Sequence, residues 1–272
     1  MRVALVLTAT LAAFCVVSYD AAAQSSTPRL PDGRPDLNGT WIAAGGGRGQ
    51  AVKLPDGSIC VTNCADLLPP APAGAGRGGG RGAGAPPQRN FPKYKPEYLA
   101  KVKELDDNQV KSDTALRCQP PGVPRIGPPA KIVQTAKEVV FLYDDLNGPF
   151  FRIIPIDGRP HRSDGHTYLG DSIGKWDGDT LVVETTNLNE ETWLIDNGAF
   201  HTKDLRVEER LRRTGDKREY RATSYEPAVL VEPWEGRVRS LQITTQEIDE
   251  PLRCEDRDLA HVVNGAHHDN VR

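Results

Sequence analysis

The chain has 272 residues, with 34 Lys and Arg residues, 37 Asp and Glu residues, and a formal net charge of −3. This length is sufficient for one large domain or two small ones with a sizeable core. The near balance of charge provides no positive field for a phosphate backbone, so we expect no nucleic-acid partner. The 26 Gly and 22 Pro residues argue against an all-helical protein.

The first segment of the chain has the three parts of a secretory signal peptide. Arg2 is followed by an apolar run over residues 3–17 and by small residues at 21–23. The run is shorter than the roughly 20 residues that span a bilayer, and no later segment approaches that length. We therefore expect residues 1–23 to be removed, and the mature chain to be secreted or periplasmic without a membrane span. An uncleaved N-terminal anchor is the alternative.

Four cysteines remain in the mature chain, since Cys15 leaves with the signal peptide. An even number in an oxidising compartment predicts two disulfides, for which three connectivities exist. We favour Cys60 with Cys64, which closes a small loop, and Cys118 with Cys254, which ties the start of the folded region to its end. A four-thiolate zinc site is disfavoured, because paired CxxC spacing is absent.

Composition divides the mature chain into three parts. Residues 24–68 form an N-terminal extension that contains the predicted Cys60/Cys64 loop. More than half of residues 69–92 are Gly or Pro, and this segment has too little apolar surface to offset its ordering entropy. We interpret it as a flexible linker. Residues 93–272 form a β-rich domain.

The β-rich domain is predicted to begin with one short helix. Apolar side chains recur at helical spacing over 96–105, behind a proline suited to a first turn. Segments with alternating apolar and polar residues follow at 132–135, 138–144, 150–157, 180–188, 205–213, 217–226 and 240–247. Their short spacing and turn signals predict a mainly β protein, an antiparallel meander closed as a barrel or paired as a sandwich.

One hairpin can be placed in register from the sequence alone. With Gly215 and Asp216 as a two-residue loop, Glu209 faces Ala222 on the apolar side of the hairpin. A bare carboxylate is costly to bury, so we expect Glu209 to be paired, hydrogen-bonded or neutral. It is a candidate catalytic residue, and small neighbours leave room for a ligand or a partner side chain.

Glu184 interrupts another apolar strand in a similar way. For both carboxylates the alternative is a structural role, with the charge satisfied by Arg, Tyr or backbone donors. We expect Glu184 and Glu209 to line a cavity with aromatic side chains. The candidate ligand-binding residues are Glu184, Tyr220, Trp176, Trp193 and Arg210.

Histidine and carboxylate side chains are concentrated in the segment RPHRSDGHTYLGDS at 159–172. His161 and Asp171 in this segment, and His201 before the strand at 205–213, suit general acid-base chemistry. Surface or structural histidines are the alternative. No HExxH element or other metal-binding spacing occurs, so we expect neither a metal nor a cofactor.

Three motifs resemble a large family of exported bacterial proteins: PDGRPDLNGTW at 31–41, CQPPGVPRI at 118–126 and WDGDTLVVETTNL at 176–188. The resemblance implies no particular activity. The resemblance also covers the segments 152–161, 168–188 and 192–213, so the family's motif segments contain His161, Asp171, Trp176, Asp179, His201, Glu209 and Arg210. Separately, Gly39-Thr40-Trp41 resembles the G-x-W opening of lipocalin-like barrels, which implies a barrel with a polar-lined cavity.

The sequence therefore predicts an exported β-rich protein that binds a small molecule in a polar-lined cavity. One alternative is a lyase, isomerase or hydrolase that uses His161 or His201 with a carboxylate in the same cavity. Another is an envelope-associated structural or interaction protein. An imidazole and a carboxylate that converge in one pocket would favour the enzyme, whereas scattered histidines would favour binding or structure. The sequence contains no signal for an oligomeric state.

Overall fold

The structure is a computed structural model that describes residues 27–43, 52–53, 59–60, 90–145, 147–248 and 254. The predicted signal peptide, Cys64 and most of the Gly/Pro-rich segment lie outside the described residues. The predictions of signal cleavage, of a Cys60–Cys64 bridge and of a flexible linker therefore stay predictions.

Within the described residues, one antiparallel sheet of ten strands curves into a nearly closed barrel. Its strands are β1 (Gly39–Ala43), β4 (Lys131–Gln134), β5 (Glu138–Leu142), β6 (Phe151–Pro155), β7 (Asp171–Asp177), β8 (Thr180–Thr186), β9 (Arg206–Thr214), β10 (Lys217–Tyr225), β11 (Trp234–Glu235) and β12 (Arg239–Thr244). Nine follow the order β6-β5-β4-β1-β12-β10-β9-β8-β7, and β11 pairs with β10. A separate ribbon joins β2 (Val52–Lys53) to β3 (Ile59–Cys60). The mainly β meander is confirmed, and the sheet forms a nearly closed barrel and not a sandwich.

The predicted helix is confirmed. A 3₁₀ turn at Pro96–Tyr98 leads into α1 (Leu99–Asp107), which is followed by α2 (Gln109–Ser112) and a 3₁₀ turn at Thr114–Arg117. The helix packs against the long connection between β8 and β9, where a Cβ on Gly198 would lie 2.3 Å from the Val102 carbonyl oxygen. In the described part of the chain, no helix is long and apolar enough to cross a membrane.

β1 comes from the predicted N-terminal extension and lies between β4 and β12 in the sheet. Trp41 on this strand is buried, and its indole N–H donates to the Leu37 carbonyl at 3.1 Å. The guanidinium carbons of Arg213 and Arg218 lie 5.2 Å and 5.0 Å from its ring centroid. Because Arg213 also donates to the Asp36 carbonyl at 2.7 Å, the segment before β1 is fastened over this end of the barrel.

β7 was not predicted, because its inward-facing positions do not form an apolar row. Ser172, Gly174 and Trp176 lie opposite the inward-facing residues of β8. A Cβ on Gly174 would lie 2.9 Å from Ile156 and 3.0 Å from Ile154, both at or beside β6. The small residue thus allows β7 to approach β6, the strand at the other edge of the sheet.

One of the two predicted disulfides lies among the described residues. Cys118 and Cys254 are bonded, with their Cα atoms 5.5 Å apart and a sequence separation of 136. The predicted pairing of these two cysteines is confirmed. The bridge fastens residue 254 to the segment that leads from the helices into β4.

Candidate functional site

The β9–β10 hairpin has the predicted register. Glu209 lies opposite Ala222, and the strands meet through the two-residue loop of Gly215 and Asp216. Gly215 has a φ of +57°, a conformation that glycine adopts without strain. Glu209 is fully buried and faces the barrel interior. The prediction that a carboxylate interrupts the inner apolar face of this hairpin is therefore confirmed.

The buried Glu209 carboxylate is paired with Arg152 of β6. Arg152 Nη2 donates to Glu209 Oε2 at 2.6 Å, and the Tyr220 hydroxyl donates to Oε1 at 3.0 Å. Burial, together with the charge of Glu209, raises the pKa of Tyr220, so its hydroxyl remains a donor. Further bonds join Arg152 to the hydroxyl groups of Tyr143, Ser172 and Thr185. The partner expected for Glu209 is therefore Arg152, and its side chain lies beside Glu209 where the small side chain of Ala222 was expected to leave room.

Glu184 lies on the other side of the barrel wall from Glu209. Its neighbours Val183 and Thr185 are fully buried and point inward, so Glu184 points outward and is partly exposed. Its Oε2 accepts a hydrogen bond from Arg206 Nη1 at 3.0 Å. Glu184 and Glu209 therefore do not line one cavity, although their strands are adjacent.

His161 lies between two carboxylates on this outer surface. Its Nδ1 is 3.0 Å from Asp171 Oδ2, and its Nε2 is 3.3 Å from Glu184 Oε1. Burial raises the pKa of Asp171, but hydrogen bonds from the Arg162 backbone, His161 and the Arg162 side chain lower it more, so the net shift is downward. We call His161, Asp171, Glu184 and Arg206 the outer cluster. An imidazole held by an ionised carboxylate can take part in general acid-base chemistry.

A groove of about 690 Å³ adjoins the outer cluster, at the end of the barrel where β8 and β10 end and β9 begins. Arg206 belongs to both the groove lining and the outer cluster. Its guanidinium carbon lies 3.9 Å from the centroid of the Tyr225 ring. Thr186 on the groove wall lies directly opposite Asp171 of β7. The lining residues are Lys95, Thr186, Asp204, Arg206, Tyr225, Glu226, Pro227, Leu230, Val231, Glu232 and Pro233.

Glu226 in this groove was missed by the sequence analysis. It is almost completely buried, and its carboxylate accepts hydrogen bonds from the Thr202 backbone N–H at 3.2 Å and the Thr202 hydroxyl at 3.1 Å. Burial, aided by the charge of Asp204, raises the pKa of Glu226 despite the bonds from Thr202. The sequence did contain a signal for its burial. Glu226 continues the series of every second residue, Tyr220, Ala222 and Ser224, whose side chains face inward.

His201 is buried in the connection between β8 and β9, and both of its ring nitrogens have partners. Nε2 is 2.8 Å from the Thr192 hydroxyl, and Nδ1 is 2.7 Å from the Thr202 carbonyl oxygen. Burial lowers the pKa of His201 to about 4, so the ring is neutral near pH 7. A neutral ring donates from Nδ1 to the carbonyl and accepts at Nε2 from the hydroxyl. His201 thus holds this connection together, and the structure does not bring it to the outer cluster.

The other predicted ligand-binding residues also lie away from the groove lining. Trp193 is buried and forms an isolated bridge with Phe200. Trp176 faces inward opposite Leu181, and its indole nitrogen has no hydrogen-bond partner among the described residues. Arg210 is on the outer surface, where it forms an ion pair with Asp177 at 2.6 Å. The structure therefore brings His161, Asp171 and Glu184 together, and separates them from Glu209 and Tyr220.

Across the described ranges, no group of three or more His, Cys, Asp or Glu side chains is arranged to hold a metal ion. Comparison with protein-family models, with curated proteins and with solved structures finds no match to this chain.

Proposed function

We propose that this chain is an exported protein that binds a small molecule in the groove beside the outer cluster. The observation that carries the proposal is the groove of about 690 Å³, a size within the usual range of small-molecule sites. The β-barrel fold is compatible with a ligand-binding cavity. The barrel interior is less suited to this role, because the Glu209 carboxylate inside it is already bound by Arg152 and Tyr220.

The groove walls favour a ligand with an apolar or aromatic body and a polar group. Tyr225, Leu230 and Val231 supply apolar surface together with two prolines, and Val231 is 63% exposed. The guanidinium of Arg206 stacked on Tyr225 forms a flat platform at the side of the groove. Charged groups of both signs, including Lys95 and Asp204, can orient the polar group of the ligand.

Titration of the mature protein with an apolar fluorescent dye, 8-anilinonaphthalene-1-sulfonate, tests the groove. We expect Val231→Asp to weaken dye binding at least tenfold, because it places a charge on the apolar wall. Val238→Asp is the matched control, since Val238 is also exposed but does not line the groove. Both variants should keep the wild-type unfolding midpoint. Equal dye binding by both variants and the wild type would overturn the proposal.

A second candidate function is acid-base catalysis by the outer cluster on a molecule bound in the adjoining groove, as in a lyase, isomerase or hydrolase. The specific observation in its favour is the 3.0 Å contact between His161 and Asp171 beside the groove. His161 would transfer the proton, and Asp171 would orient the ring. In a screen of lyase, isomerase and hydrolase substrates, His161→Gln should abolish turnover, while the exposed His166→Gln should not. Equal turnover by both variants would exclude this role for His161.

A further inference from the structure

The outward face of β4, β5 and β6 carries a continuous apolar surface. Phe151 and Ile153 are 59% and 52% exposed, although both are large aliphatic or aromatic side chains. Val133 lies opposite Val140, and Val140 lies opposite Ile153, so these three form one row across the sheet. Leu142 and Phe151 form the adjacent row. We call the five side chains the β4–β6 apolar face: Val133, Val140, Leu142, Phe151 and Ile153.

These strands are apolar on both faces, which a barrel wall exposed to water does not require. On the inner side, Ile132, Phe141 and Ile154 are fully or almost fully buried. An antiparallel sheet with one face in water normally alternates apolar and polar residues. A contiguous exposed apolar surface on a folded chain is typical of an interaction site.

Charges of opposite sign lie at the two ends of the β4–β6 apolar face. Lys131 lies opposite Leu142, at one end of the rows. Glu138 lies opposite Pro155, at the other end. Lys131 also forms an exposed ion pair with Glu247 at 2.9 Å. A half-turn about an axis that crosses the strands would bring the Lys131 end of one copy to the Glu138 end of the other.

We propose that two copies of this chain form a symmetric dimer through their β4–β6 apolar faces. In this arrangement the row of Val133, Val140 and Ile153 packs against the same row of the second copy. The two-fold axis crosses the strands, so Lys131 of each copy lies close to the partner's Glu138. Symmetric two-fold dimers are the commonest form of oligomer. The groove involves β8, β9 and β10 instead, so the dimer is a property distinct from ligand binding.

Sedimentation velocity of the mature protein, over about 1–100 μM, tests the dimer. We expect Ile153→Lys to weaken association at least 100-fold, because it places two charges in the centre of the interface. Val238→Lys, at an exposed valine outside the face, should sediment as the wild type does. The unfolding midpoint of each monomeric variant should change little. A wild-type protein that is monomeric throughout, or a dimer that Ile153→Lys leaves intact, would overturn the proposal.

Charge exchange between the copies tests the orientation. Lys131→Glu and Glu138→Lys should each weaken the homodimer, because each variant places like charges at both ends of the interface. An equimolar mixture of the two variants should regain the dimer mass, since both contacts then join Glu to Lys. The contact with Glu247 cannot explain this rescue, because it lies within one copy. If the mixture does not regain the dimer mass, the proposed two-fold axis is wrong. If the protein is monomeric and binds phosphatidylcholine vesicles through Ile153, the partner of this face is a lipid surface instead of a second copy.

Discussion

Arg152 and Glu209 form an ion pair at 2.6 Å inside the barrel, with both side chains almost completely buried. Arg152 is on β6, at one edge of the sheet, whereas its partners Ser172, Thr185 and Glu209 are on β7, β8 and β9, at the other edge. No strand ladder joins β6 to β7 in the described residues. One guanidinium therefore links the two edges of the sheet across the gap in the barrel.

Loss of the charge on Glu209 should destabilise the protein strongly. Glu209→Gln leaves the buried Arg152 charge without a counter-charge, so we expect the free energy of unfolding to fall by about 3–5 kcal/mol. Glu208→Gln is the matched control, because Glu208 is on the outer face and contacts Arg210 at the surface. We expect this variant to change the free energy of unfolding by about 0.5 kcal/mol or less. Urea denaturation measures both. A loss below about 1 kcal/mol for Glu209→Gln would contradict the structural role of the pair.

Stability should decrease in mild acid because of His201. Its pKa is about 4 in the folded protein and 6.5 ordinarily, so the unfolded chain binds more protons between these values. The stabilising contribution is complete above about pH 6.5 and is lost as the pH falls towards 4. This contribution of His201 to the free energy of unfolding amounts to about 3 kcal/mol. Urea denaturation from pH 4 to 8 should show a shallower slope for His201→Gln than for His166→Gln, and equal slopes would contradict the prediction.

The Cys118–Cys254 bridge should make a measurable contribution to stability. It joins residues 136 positions apart, and removal of such a bridge typically costs about 2–5 kcal/mol. We expect Cys118→Ser, Cys254→Ser and the double variant to lose the same free energy of unfolding, since each removes one bond. Thiol labelling of the unreduced wild-type protein should leave both cysteines unmodified. Labelling of Cys118 before reduction would show that the bridge does not form.

Gly122 should tolerate alanine much less well than Gly158 does. Both have positive φ, +87° and +83°, so alanine at either costs about 1–2 kcal/mol in backbone strain. A Cβ on Gly122 would also lie 2.5 Å from the Thr192 Cβ, whereas a Cβ on Gly158 would have no atom within 4 Å. Thr192 also contacts His201, so the overlap disturbs that hydrogen bond. The loss of unfolding free energy should be at least twice as large for Gly122→Ala, and equal losses would contradict the packing.

Several elements could be predicted because their signals are local. The helix at α1 depends on side chains three or four positions apart, and the β9–β10 register depends on a two-residue loop and on alternation. The burial of Glu209 follows from that register. β7 was not predicted, because Ser172 and Gly174 occupy inward positions where the pattern expects apolar residues.

The sequence by itself therefore determined seven of the ten strands in the main sheet, the hairpin and the presence of a carboxylate on an inner face. Only the tertiary structure decided that Glu209 pairs with Arg152, a residue 57 positions earlier, and that Glu184 belongs instead to an outer cluster with His161. The groove with Glu226 likewise exists only when β8, β9 and β10 meet at one end of the barrel. The physical reason is that alternation specifies which face of a strand a side chain occupies, whereas the closure of the sheet decides which distant side chains share that face.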